Sequence, residues 1–210
     1  MTRAEFHRIY EQMPEDFRAE LIGGIVYVAS PMRRDHGLYH ALLAMVFSSY
    51  VARTPGIETG DNSTILLGDD CELQPDLHLR VLEEHGGASR TTPEGYIEGP
   101  PELVAEVSHS SHAIDLFSKH DDYRRYGVAE YLVVSLHEAE LRWFDLPADR
   151  ELHADADDVY RLKGFPGLWI HAPAFFARDY GRLVATLEQG LATPEHAAFV
   201  QRLAARRRDG

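Results

Sequence analysis

Tyr131-Leu132-Val133-Val134-Ser135 constrains the fold more than any other stretch of this chain. It is a nearly continuous apolar run of strand length. A strand on a half-solvated sheet alternates apolar with polar residues, whereas an unbroken run belongs to a strand covered on both faces. The chain must therefore supply layers for both sides of a sheet, which points to an α/β domain. A second central strand is expected at Glu102–Val107, and Leu141–Leu146 is expected to partner Tyr131–Ser135 in a meander. A helix is expected over 112–126, with Gly127 as its C-terminal stop.

The rest of the chain is expected to furnish further elements. Residues 3–13 have a weak helical period, broken at Pro14, and 18–29 reads as two strands joined by Gly23-Gly24. Asp35–Val51 reads as a helix with Asp35 as N-cap. Short strands are expected at Ser63–Leu67, across Cys71–Val81 and at Val159–Leu162, with a loop over 83–99 and a short helix at Pro173–Ala177. Residues 181–190 and 194–208 read as a helical pair split at Ala192-Thr193-Pro194, giving a division into a domain over 1–180 and a helical extension over 181–210.

Composition bounds the function. The 210 residues are 44% hydrophobic and 26% charged, an ordinary globular balance. The single cysteine, Cys71, cannot form an internal disulfide, which fits a reducing compartment. The start lacks an apolar core of signal-peptide length and no stretch is long enough to span a bilayer, so a cytoplasmic protein is expected, with no membrane partner. The net charge of -13, from 21 basic and 34 acidic residues, opposes binding to a polyanion, because such affinity comes largely from Lys and Arg displacing counterions. Arg33-Arg34 and Arg124-Arg125 are local exceptions, though paired surface arginines are ordinarily only solvated charge.

Three polar features interrupt apolar surroundings. Gln74-Pro75-Asp76 lies within a strand-like stretch, and proline is confined there to a strand start, an edge or a bulge. Glu106 sits inside Leu103-Val104-Ala105-Glu106-Val107, where a carboxylate is costly to bury unless paired or bound to metal. The following helix carries Asp115, Lys119 and Asp122 at spacings of four and three, with Tyr123 beside them. Two carboxylates on adjacent strands suit Mg²⁺, a hard ion that prefers oxygen ligands, and a nearby lysine can orient an attacking water. The blander readings are a turn aspartate at Asp76 and a helical Asp115–Lys119 pair contributing about 0.3–0.5 kcal/mol.

Taken in order, several segments resemble the Uma2 family of restriction-endonuclease-like proteins. They are Glu20-Leu21-Ile22-Gly23-Gly24, Ser30-Pro31, His36, Gln74-Pro75-Asp76-Leu77, Glu102 through Ser108, Asp115…Lys119…Tyr123, Gly127 through Val134, and Phe165-Pro166-Gly167-Leu168-Trp169. The resemblance implies a PD-(D/E)xK core, a mixed α+β sheet flanked by helices with the site at the bend of the central strands. It implies Asp76 and Glu106 as metal ligands for Mg²⁺ or Mn²⁺, and Glu20 as an additional acid supporting a second ion. The motif lysine is expected two residues after Glu106, where this chain has Ser108. The resemblance implies that Lys119, from the following helix, reaches the same point, with Asp115 orienting it or a metal-bound water and His36 lining the pocket. Ser108-His109-Ser110-Ser111-His112 departs from the Ser-Pro-Ser common in the family. Its serines suit a helix cap, and its histidines either face solvent or touch a phosphate or metal.

Two rival readings stand beside this one. His36 and His40, four apart, have the spacing of a metal pair but lack the glutamate of HExxH. The nuclease fold is also compatible with a binding or regulatory module whose cleavage is weak or lost, as the acidic charge and displaced lysine suggest. The expected partner is nucleic acid, DNA in the first instance. The apolar stripes Leu183, Leu187, Leu191 and Phe199, Leu203 either pack on the core or pair with a second copy as a homodimer.

Overall fold

The structure is a computed structural model that describes residues 1–14, 16–108 and 114–207, the side chains of Ile114 and Asp115 excepted. His109, His112 and the side chain of Asp115 thus lie outside the described residues.

The chain opens with α1 (Arg3–Tyr10), capped by a reciprocal Thr2–Glu5 box. The hairpin β1 (Ala19–Ile22) and β2 (Ile25–Val28) follows, turned by Gly23 and Gly24, both at positive φ. Helix α2 (Arg34–Val51) comes next. Its N-cap is Arg33, without a side-chain cap bond, and Asp35 lies in the first turn. Asp35 therefore does not cap as the sequence suggested; it meets the helix dipole instead. Then come β3 (Ile57–Asp61), β4 (Ile65–Leu67), β5 (Cys71–Leu73) and β6 (Leu77–Val81). The expected loop at 83–99 holds a 3-10 turn (Glu83–His85) and two short strands, β7 (Arg90–Thr91) and β8 (Ile97–Glu98). After β9 (Leu103–Ser108), a π-helical turn (Ile114–Lys119) runs into α3 (His120–Arg125). The remainder is β10 (Glu130–Ser135), β11 (Glu140–Asp145), β12 (Arg150–Leu152), β13 (Val159–Arg161), β14 (Trp169–His171), α4 (Ala172–Ala177), α5 (Tyr180–Leu191) and α6 (Pro194–Arg206).

One six-stranded sheet has the order β12-β11-β10-β9-β6-β3, and a second has β2-β1-β5-β4-β8-β7. In the first, β9 and β10 are parallel, joined by the crossover that carries the π turn and α3, and every other pair is antiparallel. The expected single stretch Cys71–Val81 divides at Gln74-Pro75-Asp76: β5 belongs to the second sheet and β6 to the first. Proline lacks the N–H that would continue a ladder, so the chain leaves one sheet there and enters the other.

Both faces of β10 are covered, as its composition requires. Leu132 and Val134 join a core with Leu42, Val46 and Phe47 of α2. Tyr131 and Val133 join a core with Leu73 of β5 and Tyr123 of α3. Leu183, Leu187 and Leu191 of α5 and Phe199 and Leu203 of α6 are buried in the α2-side core of the same chain. Among the described residues no helix is long and apolar enough to cross a membrane.

Candidate active site

The tripeptide between the sheets positions the first acid. Register pairs Leu77 with Ala105 and His78 with Val104, and one further step sets Asp76 beside Glu106. Val104 faces the core shared with the second sheet, while Ala105 and Val107 face the α2 side. Glu106, two residues on from Val104, shares its face because side chains alternate along a strand. The two acids are thereby neighbours on one side of the sheet.

Each acid is held by named donors. The Val107 N–H donates to Asp76 Oδ2 at 2.6 Å, and His36 Nε2 lies 3.2 Å from the same oxygen. Asp76 is only 8% exposed. Burial opposes its ionisation, but the hydrogen bond and charge of His36, the Val107 N–H and the Lys119 ammonium together hold its carboxyl below the ordinary aspartate value. His40 Nε2 fixes the backbone here, 2.9 Å from the Asp76 carbonyl and 3.2 Å from Asp61 Oδ1. The two histidines are accordingly both engaged with the Asp76 segment.

Lys119 closes the site. Its Nζ stands 2.8 Å from Glu106 Oε1 and 2.8 Å from Glu20 Oε2, with Lys119 6% and Glu106 5% exposed. An isolated buried carboxylate or ammonium would be very unfavourable, so each of these groups requires the others. The Tyr123 hydroxyl donates to Glu106 Oε1 at 3.3 Å. Burial, then the Glu106 charge, pushes the Tyr123 phenol well above its usual value and keeps it a donor. Glu20, on β1, is held by the Gln74 N–H at 2.8 Å, and Gln74 Nε2 donates to Tyr10 Oη and Thr64 Oγ1.

The structure thus brings together Asp76, Glu106, Lys119, Glu20 and His36 of the residues singled out in the sequence. Ser108 lies on the same strand and face as Glu106, 1% exposed, and its hydroxyl has no hydrogen-bond partner among the described residues. Asp122 departs from the expected helical face: its carboxylate interacts with the Gly23 N–H and Cys71, and burial raises its carboxyl above the usual range. The π turn ends at Lys119 and α3 begins at His120, so the helical register changes just before Asp122 and spacing alone does not give its face. Sequence reasoning missed the Gln74 clamp on Glu20 and the His40 contact with the Asp76 carbonyl. The proline beside Gln74 marked the bend, but nothing in the sequence marked Tyr10 and Thr64 as its supports.

No group of three or more His, Cys, Asp or Glu side chains is arranged to hold a metal among the described residues. Mg²⁺ does not require one, since one or two carboxylates, waters and substrate oxygens suffice. Asp76 and Glu106 supply two hard oxygen donors on one face, and the donor set fits that ion.

Comparison with known proteins agrees with this architecture. The Uma2 family, described as "Putative restriction endonuclease", matches residues 3–173. A crystal structure described as a "putative nuclease belonging to DUF820", from Anabaena variabilis, superimposes with a TM-score of 0.65 at 14% identity, covering 84% of this chain and 98% of that one. At that identity the likeness establishes the fold. No curated protein matches the chain.

Proposed function

Because the chain belongs to the Uma2 family, we propose that it is a divalent-metal-dependent endonuclease hydrolysing phosphodiester bonds of nucleic acid, DNA in the first instance. In this reading Asp76 and Glu106 hold Mg²⁺ or Mn²⁺, Glu20 supports a second ion, and Lys119 orients the attacking water. The observation that carries it is the convergence, across two sheets and one helix, of Lys119 Nζ on Glu106 and Glu20 at 2.8 Å, with Asp76 beside Glu106 in register.

The metal's contribution is Lewis-acid stabilisation of the negative charge that builds on the phosphate. The protein's own residues do the positioning. His36 and the Val107 N–H fix the Asp76 carboxylate and keep it ionised. Tyr123 fixes Glu106, and Gln74 fixes Glu20. Held between two acids, the ammonium is a rigid hydrogen-bond donor for a water or a phosphate oxygen. Ser108 in the motif-lysine position leaves that place on the strand to a small hydroxyl, consistent with the cation arriving from the helix.

One observation favours the rival reading of a binding or regulatory module without cleavage: the ammonium is already matched by two carboxylates, in a chain of net charge -13. Incubation with single-stranded, double-stranded and branched DNA in Mg²⁺ or Mn²⁺ separates the two. The nuclease reading expects products that disappear in Lys119→Ala and Asp76→Ala, each checked for folding by circular dichroism. Products that persist in both variants come from a contaminant and overturn it. DNA binding without products in either metal establishes the module.

A further inference from the structure

The helix that carries Lys119 has a second flank. Opposite the acids, Leu116, Phe117 and His120 face β11 and β12 across a cleft of about 340 Å³, completed by Arg142, Phe144, Arg150 and Glu151. Phe117 is 68% exposed, an aromatic ring left largely in solvent at the cleft's edge. The His120 ring stands edge-on to Phe144 with centroids 5.0 Å apart, and the Arg142 guanidinium lies over Phe144 at 5.4 Å.

Both arginines of this cleft are already paired, and with Asp121, Asp149 and Glu151 its lining carries three acids against two arginines. Arg142 grips Glu151 through two bonds of 2.9 and 2.8 Å, Arg150 pairs with Asp145, and Arg124 with Asp149. His120 Nδ1 lies 3.4 Å from Asp121. A cleft with flat rings, whose arginines are already engaged by carboxylates, suits a planar heteroaromatic group better than a bare phosphate. Its position is also defined. Register aligns Glu106 with Val133 and Val133 with Arg142, so Arg142 shares the face of Glu106 two strands away, about 10 Å.

The geometry points to a base-stacking subsite: an unpaired nucleobase of single-stranded nucleic acid stacks on Phe117 in this cleft while the same strand crosses the carboxylate–lysine site on the other flank of the helix. The choice of ligand rests on the function proposed above. It also answers the charge problem. A strongly acidic protein gains little affinity from counterion release, whereas stacking of a base on an aromatic ring does not itself need a cation and tolerates any sequence.

Fluorescence anisotropy tests this in EDTA, where cleavage is not needed, with a labelled twelve-nucleotide oligo-dT and a blunt duplex. Wild type is expected to prefer the single strand. Phe117→Ala should weaken oligo-dT binding about five- to a hundredfold, the worth of one stacked base, with duplex binding unchanged. Phe117→Trp should retain affinity, with the emission of the introduced indole quenched by oligo-dT. The ring is exposed, so neither change threatens the fold; circular dichroism verifies this. Equal oligo-dT affinity in wild type and Phe117→Ala overturns the subsite, as does indole emission in the Phe117→Trp variant that responds to an aromatic peptide but not to oligo-dT. Failure of the nuclease reading is distinguishable: Phe117-dependent binding with no cleavage in Mn²⁺ keeps the subsite and removes the enzyme.

Discussion

Replacing Lys119 by methionine keeps most of the length of the side chain and removes its ammonium. The ammonium lies 2.8 Å from Glu20 Oε2 and 2.8 Å from Glu106 Oε1. Glu20 is partly open to solvent, but Glu106 is buried, and after the substitution it retains the Tyr123 hydroxyl without its counter-charge. Removing one partner of a buried pair costs about 3–5 kcal/mol, most of it the stranded charge. In a domain of this size each kcal/mol lowers Tm by about 2–4 °C, so a fall of roughly 6–20 °C is expected. The double variant Lys119→Met/Glu106→Gln removes both charges and should recover more than half of that loss, because the two sites are coupled rather than additive. Urea unfolding at pH 7, followed through the buried Trp143, measures both quantities. Two results would refute the reasoning: a single variant within about 1 kcal/mol of wild type, or a double variant no more stable than the single.

If Asp76 and Glu106 hold a divalent ion, Mn²⁺ at a hundredfold excess over its Kd should stabilise wild type by about 2.7 kcal/mol and leave Asp76→Asn unmoved, as thermal scans with and without EDTA would show. Glu130, buried against the Trp143 Nε1–H and the Gly164 N–H, has its carboxyl raised by burial to about 7. A raised folded value stabilises below the unfolded value and is lost as pH rises through 7, so the stability of wild type relative to Glu130→Gln should fall by about 3 kcal/mol between pH 4.5 and 7. His78 works oppositely: burial lowers it to about 4, and its neutral ring favours the fold above its ordinary value. Wild type relative to His78→Gln should lose about 3 kcal/mol as pH falls from 6.5 to 4. At Gly190, in the last turn of α5, an added Cβ would lie 2.3 Å from the Gly167 carbonyl and 2.7 Å from Trp169. Gly190→Ala should therefore destabilise by about 1–3 kcal/mol despite alanine's better helix propensity, and chemical denaturation would register it.

Local pattern made the central elements legible. β10 was readable because burial on both faces removes the need for polar residues, and Glu106 because it violated that rule on its neighbour. The edges were not. β3 offers one apolar residue in Ile57-Glu58-Thr59-Gly60-Asp61, and β12 is three residues long; both lie at sheet margins, where half the surface is wet. β7 and β8 are two residues each and exist only through their pairing with each other and of β8 with β4. The convergence of Lys119 with Glu106 was expected in outline from the three polar features and more firmly by resemblance. The π turn that ends at Lys119 leaves no trace in apolar periodicity. Glu20 was named as an accessory acid, yet its contact with Lys119 joins a strand of the second sheet to the helical crossover of the first, a relation that no local signal encodes.

The passage of Gln74-Pro75-Asp76 from one sheet to the other has a consequence for how the protein acquires activity. Glu20 is contributed by one sheet and Glu106 by the other, and the tripeptide is the seam along which they meet. A chain in which the first sheet alone is formed lacks Glu20, and one in which the second alone is formed lacks Glu106 and the crossover that carries Lys119. Any hydrolysis that needs Glu20 beside Lys119 would therefore begin only once both halves have docked.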